Sequence, residues 1–155
     1  DVARALLGTH RGQRAAHPSL LASRGALVVS ASYAGRGGVP YDGFYGATKV
    51  ALVGLAESWR RELAPRGVRV TTLMPAAVET RFLDKVGRNR ALGRGPAGVV
   101  LAPERVAEAV VRALERHPAE IYLPRSHRYL ALLDVAFPGL SDRILRGLMR
   151  YSPPA

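Results

Sequence analysis

Residues 28–49 read Val-Val-Ser-Ala-Ser-Tyr-Ala-Gly-Arg-Gly-Gly-Val-Pro-Tyr-Asp-Gly-Phe-Tyr-Gly-Ala-Thr-Lys. The order is an apolar run, a glycine-rich turn and the opening of a helix. Ser32 falls at the end of the run, and Tyr45 and Lys49 are four apart, which places them on one face of a helix. A hydroxyl, a phenol and an ammonium would then meet at one pocket. A free phenol titrates near pKa ~10, and a nearby cation favours its ionised form and lowers that value. Lys49 is the candidate cation. A phenol tuned this way can pass a proton in either direction, with Ser32 holding the reacting oxygen. The bland alternative is an ordinary surface pair of Tyr and Lys, and the surrounding pattern has to decide.

Working outward, residues 25–32 form a short continuous apolar run with β-branched residues, the pattern of a strand buried on both faces. Residues 43–64 have helical periodicity and stop at Pro65-Arg-Gly67. Residues 68–74 are a second β-rich run. Strand, helix, strand in this order predicts a parallel sheet with a right-handed crossover. Pro75 to Thr80 then leaves the carboxyl end of the second strand, the position at which open α/β sheets bind ligands.

These residues resemble the short-chain dehydrogenase/reductase family. Ser32 lies thirteen residues before Tyr45, as the family's catalytic Ser lies before its Tyr, and Tyr45-Gly-Ala-Thr-Lys49 differs from Tyr-x-Ala-Ser-Lys only at Thr48. Pro75-Ala-Ala-Val-Glu-Thr80 matches a second family motif, with Ala76 for the usual Gly. The resemblance implies an α/β fold, a Rossmann-like doubly wound parallel sheet. It also implies an oxidoreductase using NAD(P) to move hydride to or from an alcohol or ketone. Tyr45 would be the acid/base, Lys49 would lower its pKa and contact the cofactor ribose, and Ser32 would orient the substrate oxygen. Tyr45, Lys49, Pro75, Val78 and Thr80 would bind the cofactor, the last two at the nicotinamide carboxamide. Three family positions differ. Ala5 stands where an Asn assists a proton relay, Val29 replaces a structural Asn, and Ala31 replaces the first Ser of the Ser-Ser pair.

Composition excludes several other classes. A chain of 155 residues with 48% hydrophobic content has the length of one domain and can bury a core. The absence of cysteine removes disulfide frameworks and thiolate metal sites, and a cytoplasmic location is expected. No apolar run is long enough for a membrane span, and the first residues do not read as a signal peptide. The net charge is +11, and 21 of the 23 basic residues are arginine. Such a surface attracts anions, but the charge is spread along the chain without aromatic interleaving or a nucleic-acid motif. It reads as a solvated basic surface, and no nucleic-acid partner is expected.

Elsewhere, residues 1–22 predict a helix whose His10 and His17 share a face. Two His without a third ligand make a poor metal site, so solvated histidines and no metal are expected. Residues 81–101 are basic and glycine-rich. Their Gly93-x-Gly95-x-x-Gly98 follows a polar loop and contains Pro96, so it is not a dinucleotide fingerprint; by resemblance this region is a substrate lid. Residues 103–116 predict an amphipathic helix started by Pro103, with Val106, Ala109, Val110, Ala113 and Leu114 facing inward. Residues 119–123 predict a last strand. Residues 126–150 predict one or two helices broken at Pro138-Gly139, with Leu130, Leu133, Phe137, Leu140, Ile144 and Leu148 for packing or, as a sharper option, a membrane surface. A small-residue stripe, Ala47, Ala51, Gly54 and Ser58, suits close approach of another helix. By resemblance the Gly43–Ala64 helix implies a homo-oligomer.

The division expected is 1–125, the C-terminal part of a nucleotide-binding domain, and 126–155, a helical extension. The family's first strands and pyrophosphate-binding turn have no counterpart in these residues. A fragment of a longer oxidoreductase is therefore expected, with the first strand exposed where the others belong. Two alternatives stay open: a catalytically silent relative acting as a binding partner, and a basic nucleic-acid-binding module.

Overall fold

A computed structural model of the chain describes residues 2–40, 42–80 and 99–148. Strand β2 (Arg69–Pro75) is the centre of the sheet, and every residue after Arg69 is buried. It runs parallel to β1 (Ala26–Ser30) on one side and to β5 (Glu120–Leu123) on the other. The registers run from Ala26 opposite Arg69 to Ser30 opposite Leu73, and from Thr72 opposite Glu120 to Pro75 opposite Leu123. The connections are helices, α2 (Gly43–Leu63) between β1 and β2, and α3 (Pro103–Arg116) before β5. The α/β fold with a parallel sheet is as the sequence implies.

Alternation along the strands assigns each residue to a face. Val29 and Val70 pack with Ala56, Trp59, Leu63 and Val68 beneath α2, joined by Leu20 and Leu21 of α1 (Val2–Ser23). Leu73 points the other way, onto Ala109 of α3 and Leu123, with Val28, Val106 and Val110 around them. Helices thus cover both faces, as a parallel sheet requires. A third cluster, at the carboxyl end of the strands, joins Tyr33, Leu52, Val53, Met74 and Tyr122 to Ala131 of α4 (His127–Ala136). The last described helix, α5 (Pro138–Leu148), starts at the proline expected to break the run.

Several expectations need correction. Strand β1 is not buried on both faces; only Val29 is buried, Ala26 to Val28 are half-buried and Ser30 is exposed. Among the described residues β1 pairs with β2 alone, and β2, paired on both sides, has the deeper burial; the exposure of β1 is the one expected where further strands belong. Leu114 is 46% exposed, because the inward stripe of α3 narrows to Ala109 and Ala113. Phe137, Leu140 and Ile144 are also exposed, and His127, Ala131, Ser141 and Leu145 are the buried positions of the helix pair among the described residues. Within the loops, Ala77–Val78 (β3) pairs in parallel with Val100–Leu101 (β4). Trp59 is core, and His10 stacks on it at 6.3 Å rather than standing in solvent. His17 Nδ1 meets Gln13 Nε2 at 3.2 Å. The glycine-rich stretch 81–98, expected as a lid, lies outside the described residues, as do residues 149–155. No helix of the described residues is long and apolar enough to cross a membrane.

Candidate active site

The sheet carries Ser32 to its place. Ala31 N–H still donates to Leu73 O at 2.9 Å, prolonging the β1–β2 ladder by one residue. The chain then turns through a 3₁₀ segment, Tyr33–Gly35, which Ser32 caps: Ala34 N–H donates to Ser32 Oγ at 3.2 Å. Ser32 Oγ faces Pro75 O at 3.5 Å, the long end of hydrogen bonding. The same hydroxyl favours the ionised form of the Tyr45 phenol. Two parallel strands therefore deliver Ser32 and Pro75 side by side.

Gly35 sets the turn against helix α2. A Cβ at Gly35 would lie 2.7 Å from Lys49 O and 2.8 Å from Val53 Cγ2. The first of these is backbone and cannot swing away, so only glycine lets the Ser32 turn sit this close to the helix bearing Tyr45 and Lys49. This role of Gly35 leaves no local pattern in the sequence, because the contact is long-range.

Tyr45 and Lys49 share a face as their spacing predicts, with Lys49 Nζ 5.5 Å from the centroid of the Tyr45 ring, a cation–π distance. The electrostatics differ from expectation. The Tyr45 phenol is pushed above its ordinary value, by burial first and by the Asp42 carboxylate, while the Ser32 hydrogen bond pulls it down. Burial also lowers the Lys49 ammonium. Lys49 meets the aromatic face, so its charge does not offset the burial of the phenol. Asp42 occupies the N-cap position of α2, but its side chain makes no capping hydrogen bond; its backbone O accepts from Gly46 N–H at 2.8 Å.

The remaining positions follow the carboxyl end of β2. Ala76 N–H donates to Leu123 O at 2.7 Å, and Glu79 N–H to Leu101 O at 2.9 Å, so the Pro75–Thr80 segment is held from both sides. Val78 lies in β3, and exposed Thr80 donates from Oγ1 to Val78 O at 3.4 Å. Ala5, on α1, is half-buried and its methyl offers no hydrogen bond. No group of three His, Cys, Asp or Glu among the described residues could hold a metal ion.

The residues present fit a nicotinamide–ribose group. A half-buried ammonium that forms no ion pair among the described residues is suited to donating to neutral hydroxyls. The adjoining strand end offers backbone groups and a hydroxyl at Val78 and Thr80 for an amide.

Comparison with known proteins bears on this arrangement. Residues 2–117 match the family model described as enoyl-(acyl carrier protein) reductase. The chain is 33% identical over 138 residues to the uncharacterized oxidoreductase YxnA of Bacillus subtilis, covering 84% of this chain and 38% of that protein. It is 34% identical over 90 residues to the 3-oxoacyl-[acyl-carrier-protein] reductase FabG of Thermotoga maritima, covering 56% of this chain and 37% of that one. Among solved structures it is similar to a short-chain dehydrogenase from Burkholderia cenocepacia in complex with NADP. There the TM-score is 0.77 at 27% identity, over 94% of this chain and 57% of that one. The chain thus spans well under two thirds of the length of each of these relatives.

Proposed function

Because the chain belongs to the short-chain dehydrogenase/reductase family, we propose that it supplies the proton-transfer half of an NAD(P)-dependent oxidoreductase acting on a small-molecule alcohol or carbonyl compound. The observation that carries this reading is that Ser32 acts on the Tyr45 phenol while Lys49 sits over the Tyr45 ring, beside the end of strand β1 where it pairs with β2. When bound, the nicotinamide supplies or accepts the hydride. Tyr45 supplies the proton to the carbonyl oxygen in reduction and removes it from the hydroxyl in oxidation. Burial and Asp42 hold the phenol protonated at neutral pH, the form reduction needs. Ser32 donates to the same oxygen and fixes its position. Lys49 holds the ribose hydroxyls, and Pro75, Val78 and Thr80 receive the carboxamide end. The relative bound to NADP supports the cofactor class.

The test is Tyr45→Phe in the full-length protein, assayed by nicotinamide absorbance against a panel of ketones and alcohols. Loss of general acid–base catalysis should cost about 10²–10⁴-fold in kcat. Undiminished turnover would remove Tyr45 from the chemistry. A protein inactive on every substrate before mutation, yet binding NAD(P)H, would favour the catalytically silent reading to which Ala5 points.

A further inference from the structure

A basic cleft has a lining that includes none of Ser32, Tyr45 and Lys49. It has a volume of about 360 Å³ and is bounded by the C-terminal half of α3, strand β5 and the first turn of α4. Arg112 and Arg116 enter it from α3, and Arg125 and Arg128 from the segment that opens α4. Arg112 and Arg116 are one helical turn apart, an arrangement of like charges that is itself unfavourable. Among the described residues, none of the four makes an ion pair. The one carboxylate lining the cleft, Glu120, is already engaged by Arg36 and by Tyr122 Oη at 3.1 Å. The helix C-terminus accounts for Arg116 in the last turn, but not for Arg112, Arg125 and Arg128.

From this convergence we infer that the cleft is a binding site for a small multivalent oxyanion. Guanidinium forks match phosphate and carboxylate oxygens in bidentate geometry, and the cleft's volume lies within the range of small-molecule sites, about 300–1,000 Å³. Ile121 on the floor and the exposed ring of Tyr129 at the rim give an apolar surface for the ligand's carbon part. Di- or triphosphates and tricarboxylates share the required chemistry.

Isothermal titration calorimetry on the full-length protein at low ionic strength tests this, with NADPH saturating the nucleotide site. Inorganic pyrophosphate and citrate are the two probes. Binding of one or both supports the site, and the tighter probe names the anion class. R112A/R128A should weaken that binding at least about tenfold. R112K/R128K, which keeps charge and loses the fork, should fall between. R66A/R69A removes the same charge on exposed positions outside the cleft and should leave it unchanged. All these positions are solvent-exposed, and a thermal melt checks folding of each variant. Binding of neither probe, binding of duplex DNA alone, or equal loss in R66A/R69A would overturn the assignment.

Discussion

At the scale of single residues, Tyr45 is governed by two neighbours of opposite effect. Asp42 raises its pKa because a carboxylate disfavours a second negative charge nearby, and Ser32 lowers it by hydrogen-bonding the ionised form. Asp42→Asn should therefore move the phenol down, and Ser32→Ala should move it up. Ultraviolet titration, with Tyr45→Phe as the difference reference, reads both. Shifts of the same sign in the two variants would contradict this arrangement. Because oxidation needs phenolate and reduction needs phenol, Asp42→Asn should also shift the onset of oxidation to lower pH. Lys49 was expected to do this lowering, on its spacing from Tyr45. Spacing fixed which face the ammonium occupies, but not whether it meets the ring or the hydroxyl.

At the scale of elements, the apolar runs and their punctuation made the β1–α2–β2 unit legible, down to Gly67 at φ +82° closing the helix end. Less legible were features created by contacts distant in sequence. Nothing local distinguishes the half-buried β1 from the buried β2, since both are β-branched and apolar. The two-residue β3–β4 pairing is too short for periodicity to register. The pattern of helix α4 points to Leu130 and Leu133, yet its most buried residue is His127, 1% exposed, with its ring edge-on to Tyr33 at 4.8 Å and 81°. Neither ring nitrogen has a hydrogen-bond partner among the described residues. Burial accordingly holds the imidazole below its ordinary value. The unfolded chain then binds a proton that the folded one resists. This contribution to stability is present above the unfolded value, near pH ~6.5, and is lost as pH falls below it. The loss can reach about 1.4 kcal/mol per pH unit until the lowered folded value is met. His127→Phe keeps the edge-on ring and removes the proton, so its denaturation midpoint should decline less between about pH 6.5 and 5. Parallel declines in the two proteins would show that another group governs the acid side.

For the whole molecule, the question is which faces meet other chains. Charge alone is a poor guide, because a net +11 repels a second copy at long range. A self-interface therefore needs a patch low in charge and able to pack closely. Helix α2 offers one. Phe44 is 89% and Val50 55% exposed, and Ala47 and Gly54 lie exposed beside them, while Leu52, Val53 and Ala56 turn inward to the sheet. Residues 44–54 of this helix therefore present an outer face free of charge apart from Lys49, which is drawn in over Tyr45. Small side chains there let two helix backbones approach, and Phe44 and Val50 supply apolar area that is otherwise left in water. On this argument we propose that the full-length protein forms a homo-oligomer through α2. Val50→Glu, which puts a charge into the centre of the patch, should shift it toward monomer by light scattering at micromolar concentration. Because Val50 is exposed in the single chain, the same variant should melt within about 0.5 kcal/mol of the parent once dissociated. A monomeric parent protein, or an oligomer indifferent to Val50→Glu, would exclude α2 as the interface. Loss of activity along with dissociation would further tie assembly to the placement of Tyr45, five residues before Val50 on the same helix.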